Sequence, residues 1–221
     1  MHRQANTLAS KPTSKKVISV AASILAIIFI VIIAYWYSNP ANRLVNLNQA
    51  DVVQATGNAS YSQTLSNKVT VFIPSLRSIG YMASSVSAFN YTGGSISSYM
   101  PVAVTSAIFL MTNASSAKEI ASTLLFSHEV NNSQLGYIYN STTVTTFSAS
   151  GQGISIFDVH AIAAYNQSSI RNMSAGGLPI YEETLIFSFG NKIGMIELNG
   201  YGYLSDSIGT NLAEALIKKY V

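Results

Sequence analysis

The sequence predicts an α+β protein: a single transmembrane helix near the amino end, then an antiparallel sheet carrying two or three helices. Three observations lead there. Val17 to Tyr37 is a run of 21 residues without charge, proline or glycine, long enough to cross a hydrocarbon core of about 30 Å. The rest of the chain alternates short β-branched runs with two amphipathic stretches, the pattern of a sheet with helices set against it. Charge is scarce: 10% of the 221 residues are charged and 48% are hydrophobic, against about 25% charged in an ordinary soluble domain.

The elements follow in order. Residues 1–16 form a basic tail with Arg3, Lys11, Lys15 and Lys16 and no acidic residue. Residues 17–37 are the spanning helix, closed by Tyr35, Trp36 and Tyr37 as an interfacial aromatic belt. The tail carries +4 and everything after it −1, so positive residues place the amino terminus in the cytoplasm and the remainder outside. A cleaved secretory signal has a shorter apolar stretch and small residues at its cut site; this run is longer and ends in Tyr-Trp-Tyr. It reads as an uncleaved signal-anchor, with the lipid bilayer as the partner of residues 17–37.

Residues 38–50, rich in Asn and broken by Pro40, read as a stalk, and residues 51–221 as the extracytoplasmic domain. Within it, Val69–Ile73 and Val102–Met111 read as strands, the second as a central one. Ser75–Phe89 has the spacing of a third helix. Ser116 and Glu119 form a capping-box pattern that starts a helix ending near Phe126 or Ser127. Strands follow at Leu135–Tyr139, Thr142–Phe147 and Ile154–Ala164, with Gly151-Gln152-Gly153 as a turn. Thr184–Phe189 and Lys192–Leu198 flank Gly190-Asn191, a hairpin signal because both residues tolerate positive φ. Leu204, Ile208, Leu212, Ala215 and Leu216 stripe a last helix, with Glu214 and Lys218 as an i,i+4 pair.

That strand–Gly-Asn–strand–helix ending resembles the closing unit of the Mog1/PsbP-like fold, used also by exported lipoprotein domains. The resemblance covers about forty residues of layout and implies a fold, not a function. At the other end, an apolar helix followed by a Ser/Thr/Asn-rich head resembles archaeal pilins. Pilin processing wants a small residue between the basic pair and the apolar run, whereas Lys15-Lys16 meets Val17 directly.

Seven N-x-[ST] sequons lie in the external part, at Asn58, Asn90, Asn113, Asn131, Asn140, Asn166 and Asn172. With this composition chance supplies about 3.6, so the excess is twofold, and all seven fall on the side the lysines make external. They are candidate glycosylation sites on the surface.

Catalytic patterns are missing. With no cysteine, disulfide scaffolds, thiolate metal sites and cysteine nucleophiles are excluded. There is no G-x-S-x-G elbow, H-E-x-x-H or P-loop, and His128-Glu129 reads as the end of a helix. Asp158 and His160, two apart on a strand, share a face and give weak support to a metal-dependent extracellular enzyme. Glu182 and Glu183 point to opposite faces and form no acid/base pair. An external charge of −1 without a basic patch excludes nucleic acid as a partner. Tyr81, Tyr91 and Tyr99, or Tyr201 and Tyr203, are candidates for a binding surface, although tyrosine also replaces charge in such a composition. The expectation is a membrane-anchored glycoprotein with no catalytic, metal or cofactor-binding set. It acts as a binding or accessory module toward a protein partner in the membrane or cell surface layer. A pilin-like filament subunit is the alternative.

Overall fold

The computed structural model describes residues 28, 30–31, 38–71, 74–97, 99–135, 137–149, 152–163 and 181–221. Among them no helix is long and apolar enough to cross a membrane. Most of the Val17–Tyr37 run lies outside the described residues; Ile28, Ile30 and Val31 are helical and exposed.

Pro40–Val221 makes one unit, an α+β fold built on a seven-stranded antiparallel sheet. The strands are β1 (Tyr61–Thr70), β2 (Tyr81–Tyr91), β3 (Ala103–Met111), β4 (Tyr137–Ala149), β5 (Gln152–Ala163), β6 (Tyr181–Phe189) and β7 (Lys192–Gly200), and the helices are α1 (Gln49–Thr56), α2 (Pro74–Ser78), α3 (Ala114–Leu135) and α4 (Asp206–Lys218). The order across the sheet is β1-β2-β3-β7-β6-β5-β4. Three strands run outward to inward, α3 carries the chain to the far edge, and four strands meander back until β7 pairs with β3.

The two faces differ. One holds the larger core: Val104 and Ile108 of β3, Leu185 and Phe187 of β6, and Ile196 and Leu198 of β7 pack beneath Ile208, Leu212 and Leu216 of α4. On the other, α3 lays Ala117 and Ala121 over Met111, Ile186 and Ile193. Gly190 takes φ 53° in the β6–β7 hairpin, as the Gly-Asn signal requires. Of the stripe expected for the last helix, Ile208, Leu212 and Leu216 are buried on α4, Leu204 is buried just before its start and Ala215 is half-buried, while Ala213 and Ile217 complete the buried face.

Several expectations are corrected. Residues 38–50 are not a free stalk over most of their length. Pro40–Arg43 forms a 3-10 turn, and Ala41, Leu44 and Leu47 are buried in the larger core. Asn46 Nδ2 donates to the carbonyls of Ser85 and Ser106, each at 2.9 Å, while its Oδ1 accepts from the Ser106 hydroxyl at 2.7 Å. The reach of Ser75–Phe89 is mostly strand: only Pro74–Ser78 is helical, and β2 follows. Its buried Ser85 and Ser87 are small enough to let the segment around Asn46 lie on the sheet. β1 begins at Tyr61 rather than Val69. The helix signalled by Ser116 and Glu119 starts two residues earlier, because Asn113 Oδ1 accepts the Ser116 N–H at 2.8 Å, and it runs on to Leu135. His128-Glu129 therefore lies within α3, and Leu135–Tyr139 is no separate strand.

The seat of α4 depends on Gly209. A Cβ there would stand 2.0 Å from Glu183 Oε1 and 2.6 Å from Leu185 Cδ1, both on β6 beneath the helix. Gly209→Ala gains about 1 kcal/mol of helix propensity, but overpacking a closed core costs about 1–3 kcal/mol, and Glu183 is fully buried. A net loss of stability in urea denaturation is expected for Gly209→Ala, and a larger one for Gly209→Val. Parent-like melting of both would mean that α4 does not press on β6.

Candidate interaction surface

The residues singled out for chemistry are spread over both faces. Asp158 and His160 do share a face of β5, and the register sets His160 opposite Glu183 and Asp158 opposite Leu185. That face is the α4 side, so the Asp158 and Glu183 carboxylates are buried under a helix. Among the described residues no group of three metal-ligating side chains converges. Glu182 lies on the opposite face from Glu183, as strand alternation requires. There Thr184 Oγ1 donates to Glu182 Oε1 at 3.2 Å, and Asn199 Nδ2 donates to Glu197 Oε1 at 2.9 Å.

The tyrosines do not assemble as one surface. Tyr81 packs on Phe109 at 6.0 Å, whereas Tyr91 meets Tyr61 edge-on at 5.6 Å. Tyr203 stacks obliquely on Tyr181 at 4.8 Å, and Tyr99 is exposed.

Of the seven sequon asparagines, Asn90 on β2 and Asn113 at the start of α3 are exposed, and Asn58 is half-buried in the turn after α1. Asn58 Oδ1 accepts the Ser60 N–H at 2.8 Å. Asn131 falls in α3 and Asn140 in β4. Asn166 and Asn172 lie outside the described residues.

A groove of about 450 Å³ lies between α1 and α4, lined by Asp51, Gln54, Asn211, Glu214, Lys218 and Lys219. Its charges neutralise one another: Lys219 pairs with Asp51 at 2.9 Å and Lys218 with Glu214 at 3.3 Å. It offers no net field for an ionic ligand.

The free edge at β1 is different in kind. From Ser62 to Val69 every residue of this strand is exposed, so neither face is covered. The pairing with β2 sets Leu65 beside Ala88, Asn67 beside Val86 and Val69 beside Ser84, which places Leu65 and Val69 on the α3 side of the sheet. Both are nearly half exposed, at 47% and 46%. α3 packs on β6, β4, β7 and β3 and, among the described residues, reaches β2 only near Tyr81; Ser84 is buried, whereas the same side of β1 is exposed. Val86 and Ala88, then Thr105 and Met195 further in, are half-buried there. Next to α3 the same face dips into a groove of about 170 Å³ with a wholly apolar lining that includes Ile79, Tyr81, Phe109 and Leu124. An exposed strand edge beside an apolar sheet face is the arrangement on which an added strand binds: main-chain bonds supply affinity and alternate side chains supply selectivity.

Sequence reasoning missed this edge. The stretch YSQTLSNKVT shows little apolar alternation because neither of its faces is buried, and only Leu65 and Val69 marked it.

No family model and no curated protein sequence matches the chain. Among solved structures, the extracellular domain of PknH from Mycobacterium tuberculosis is similar in part, with a TM-score of 0.46 and 13% identity over 78% of this chain and 93% of that one. A likeness so distant carries no functional argument.

Proposed function

We propose that the chain is a single-pass membrane protein whose extracytoplasmic domain is a binding or accessory module without a catalytic role, part of a larger cell-envelope or membrane complex. The observation that carries the reading is the β1 edge, exposed on both faces and continuous with a sheet face on which Val86, Ala88 and Met195 are only half-buried. Natural sheets blunt or cover such edges, and an uncovered one is suited to a protein partner. The anchor rests on the uncharged, largely apolar 21-residue run from Val17. The outward placement rests on the lysine asymmetry together with the sequons, and the exposure of Asn90 and Asn113 is compatible with their use.

Protease added to intact cells should digest the chain after Tyr37. Replacing Lys11, Lys15 and Lys16 with glutamate should yield mixed orientation; protection until lysis would overturn the topology. For the module itself, purification of the full chain in mild detergent should retain a stoichiometric protein, and Leu65→Lys should release it. A chain that purifies as a monomer from its native membrane, with neither a second copy nor another protein bound and the wild-type edge intact, would remove the binding role.

A further inference from the structure

Backbone direction along β1 selects which groups face outward. Val71 N donates to Met82 O at 2.8 Å. Alternation along an antiparallel ladder then turns the backbone groups of Leu65, Asn67 and Val69 toward β2 and those of Ser66, Lys68 and Thr70 to the outside. The side chains of Leu65, Asn67 and Val69 share the α3 side of the sheet, and those of Ser66 and Lys68 point to the other.

We infer that β1 pairs antiparallel with β1 of a second copy of this chain, about a two-fold axis at Asn67. A two-fold normal to the sheet keeps each face continuous only when a residue lies on the axis, so Ser66, Asn67 and Lys68 are the choices within the paired stretch. An axis at Lys68 sets two ammonium groups opposite each other, which is destabilising. An axis at Ser66 sets Leu65 against Asn67. The axis at Asn67 places Leu65 against Val69 on both sides, Asn67 against itself, and Lys68 against Ser66. In that register the Ser66–Lys68 pairs are those whose backbone groups point outward, so they make the hydrogen bonds. Read in either direction, Leu65–Val69 runs apolar, polar, Asn, polar, apolar, and this self-complementarity favours a second copy over an unrelated strand.

The register shift between Gln63 and Leu65 confines the pairing to the stretch after it. An interface so short falls below the ~1,200 Å² of a stable complex. Confinement of two chains to one membrane raises their effective concentration, so the inference rests on the anchored reading above.

The chain contains no cysteine, so an introduced one reports cleanly. In Asn67→Cys the two Cβ atoms of a non-hydrogen-bonded pair come within disulfide range, about 4.5 Å apart. Mild oxidation of the full chain in its native membrane should give a species of twice the mass. Val69→Cys alone should not cross-link, whereas the Leu65→Cys/Val69→Cys double variant should. Adding Val69→Lys to Asn67→Cys should cut the yield at least tenfold without changing the thermal melt, because the position is exposed. Equal cross-linking from Val69→Cys, no cross-link from a folded Asn67→Cys chain, or a cross-link to a different protein would each overturn self-pairing. In the last two cases a partner still released by Leu65→Lys leaves the binding role standing.

Discussion

A chain begun at Asp51 should fail to fold, and one begun at Ser38 should melt cooperatively. The difference lies in the thirteen residues between those starts, which read in the sequence as a connector. Leu44 and Leu47 are completely or almost completely buried, and truncating a buried leucine to alanine typically costs about 2–5 kcal/mol. Removing both entirely, with Ala41, uncovers the upper surface of β2 and β3. The loss of Asn46 adds to this, because the carbonyls of Ser85 and Ser106 and the Ser106 hydroxyl lose the bonds it makes with them, and Ser106 is fully buried. Unsatisfied buried polar groups cost about 1–3 kcal/mol each. The sum exceeds a stability of about 5–15 kcal/mol at its lower end and consumes much of it at its upper end. Circular dichroism and urea denaturation of the two starts decide the matter. A folded chain from Asp51 with parent-like stability would show that the segment only rests on the core. The single substitution Leu44→Ala should fall between the two.

What was legible in the sequence follows from where each element is buried. α4 has one face in the core and one in water, so Ile208, Leu212 and Leu216 recur at helical spacing. The β6–β7 hairpin needed only a local signal, Gly190-Asn191. Segments that touch the core with small or polar residues were illegible. Ser85 and Ser87 of β2 are both buried, Ser85 with its carbonyl bonded to Asn46, and a strand lined with serines has no apolar alternation to read. Leu44 and Leu47 stand in an Asn-rich run with only Ala41, Val45 and Ala50 as further apolar residues and no regular spacing among them, too little to outweigh its composition. The exposed edge was illegible for a deeper reason. Which strand ends a sheet depends on the order β1-β2-β3-β7-β6-β5-β4, set when α3 carries the chain past three strand positions that β5 to β7 later fill. No local pattern in β1 encodes that.

Raising the pH from 8 to above 12 should remove roughly 3–5 kcal/mol of stability, most of it between pH 10 and 12. Two tyrosines carry the effect. Tyr61 is buried, and its hydroxyl donates to the Pro101 carbonyl. Burial, reinforced by Tyr91 beside it, pushes its pKa up to about 12. The Tyr220 hydroxyl donates to Val45 O at 2.7 Å and accepts from Val45 N at 2.6 Å, tying the last residues to the segment that opens the domain. Burial raises its pKa to about 12 as well, against a smaller lowering by that backbone bond. For both groups the folded pKa lies above the unfolded value near 10, so the native state holds the proton more tightly. Their stabilisation is complete below pH 10 and is lost as the pH rises through 12. Two units correspond to about 2.7 kcal/mol, discounted for Tyr220 because it lies at the partly exposed rim. Lys192 works in the other direction. Burial lowers its pKa, so the native state disfavours its ammonium, and that penalty disappears as the lysine deprotonates in alkali. One lysine offsets part of the change and does not reverse it. Urea denaturation at pH 8, 10 and 11.5 should show the fall, and Tyr61→Phe should flatten it by about half while lowering stability at pH 8 by about 1 kcal/mol for the lost hydrogen bond. A profile that is flat to pH 11.5 in the parent, or equally steep in Tyr61→Phe, would mean that these hydroxyls are not held from water as the fold places them.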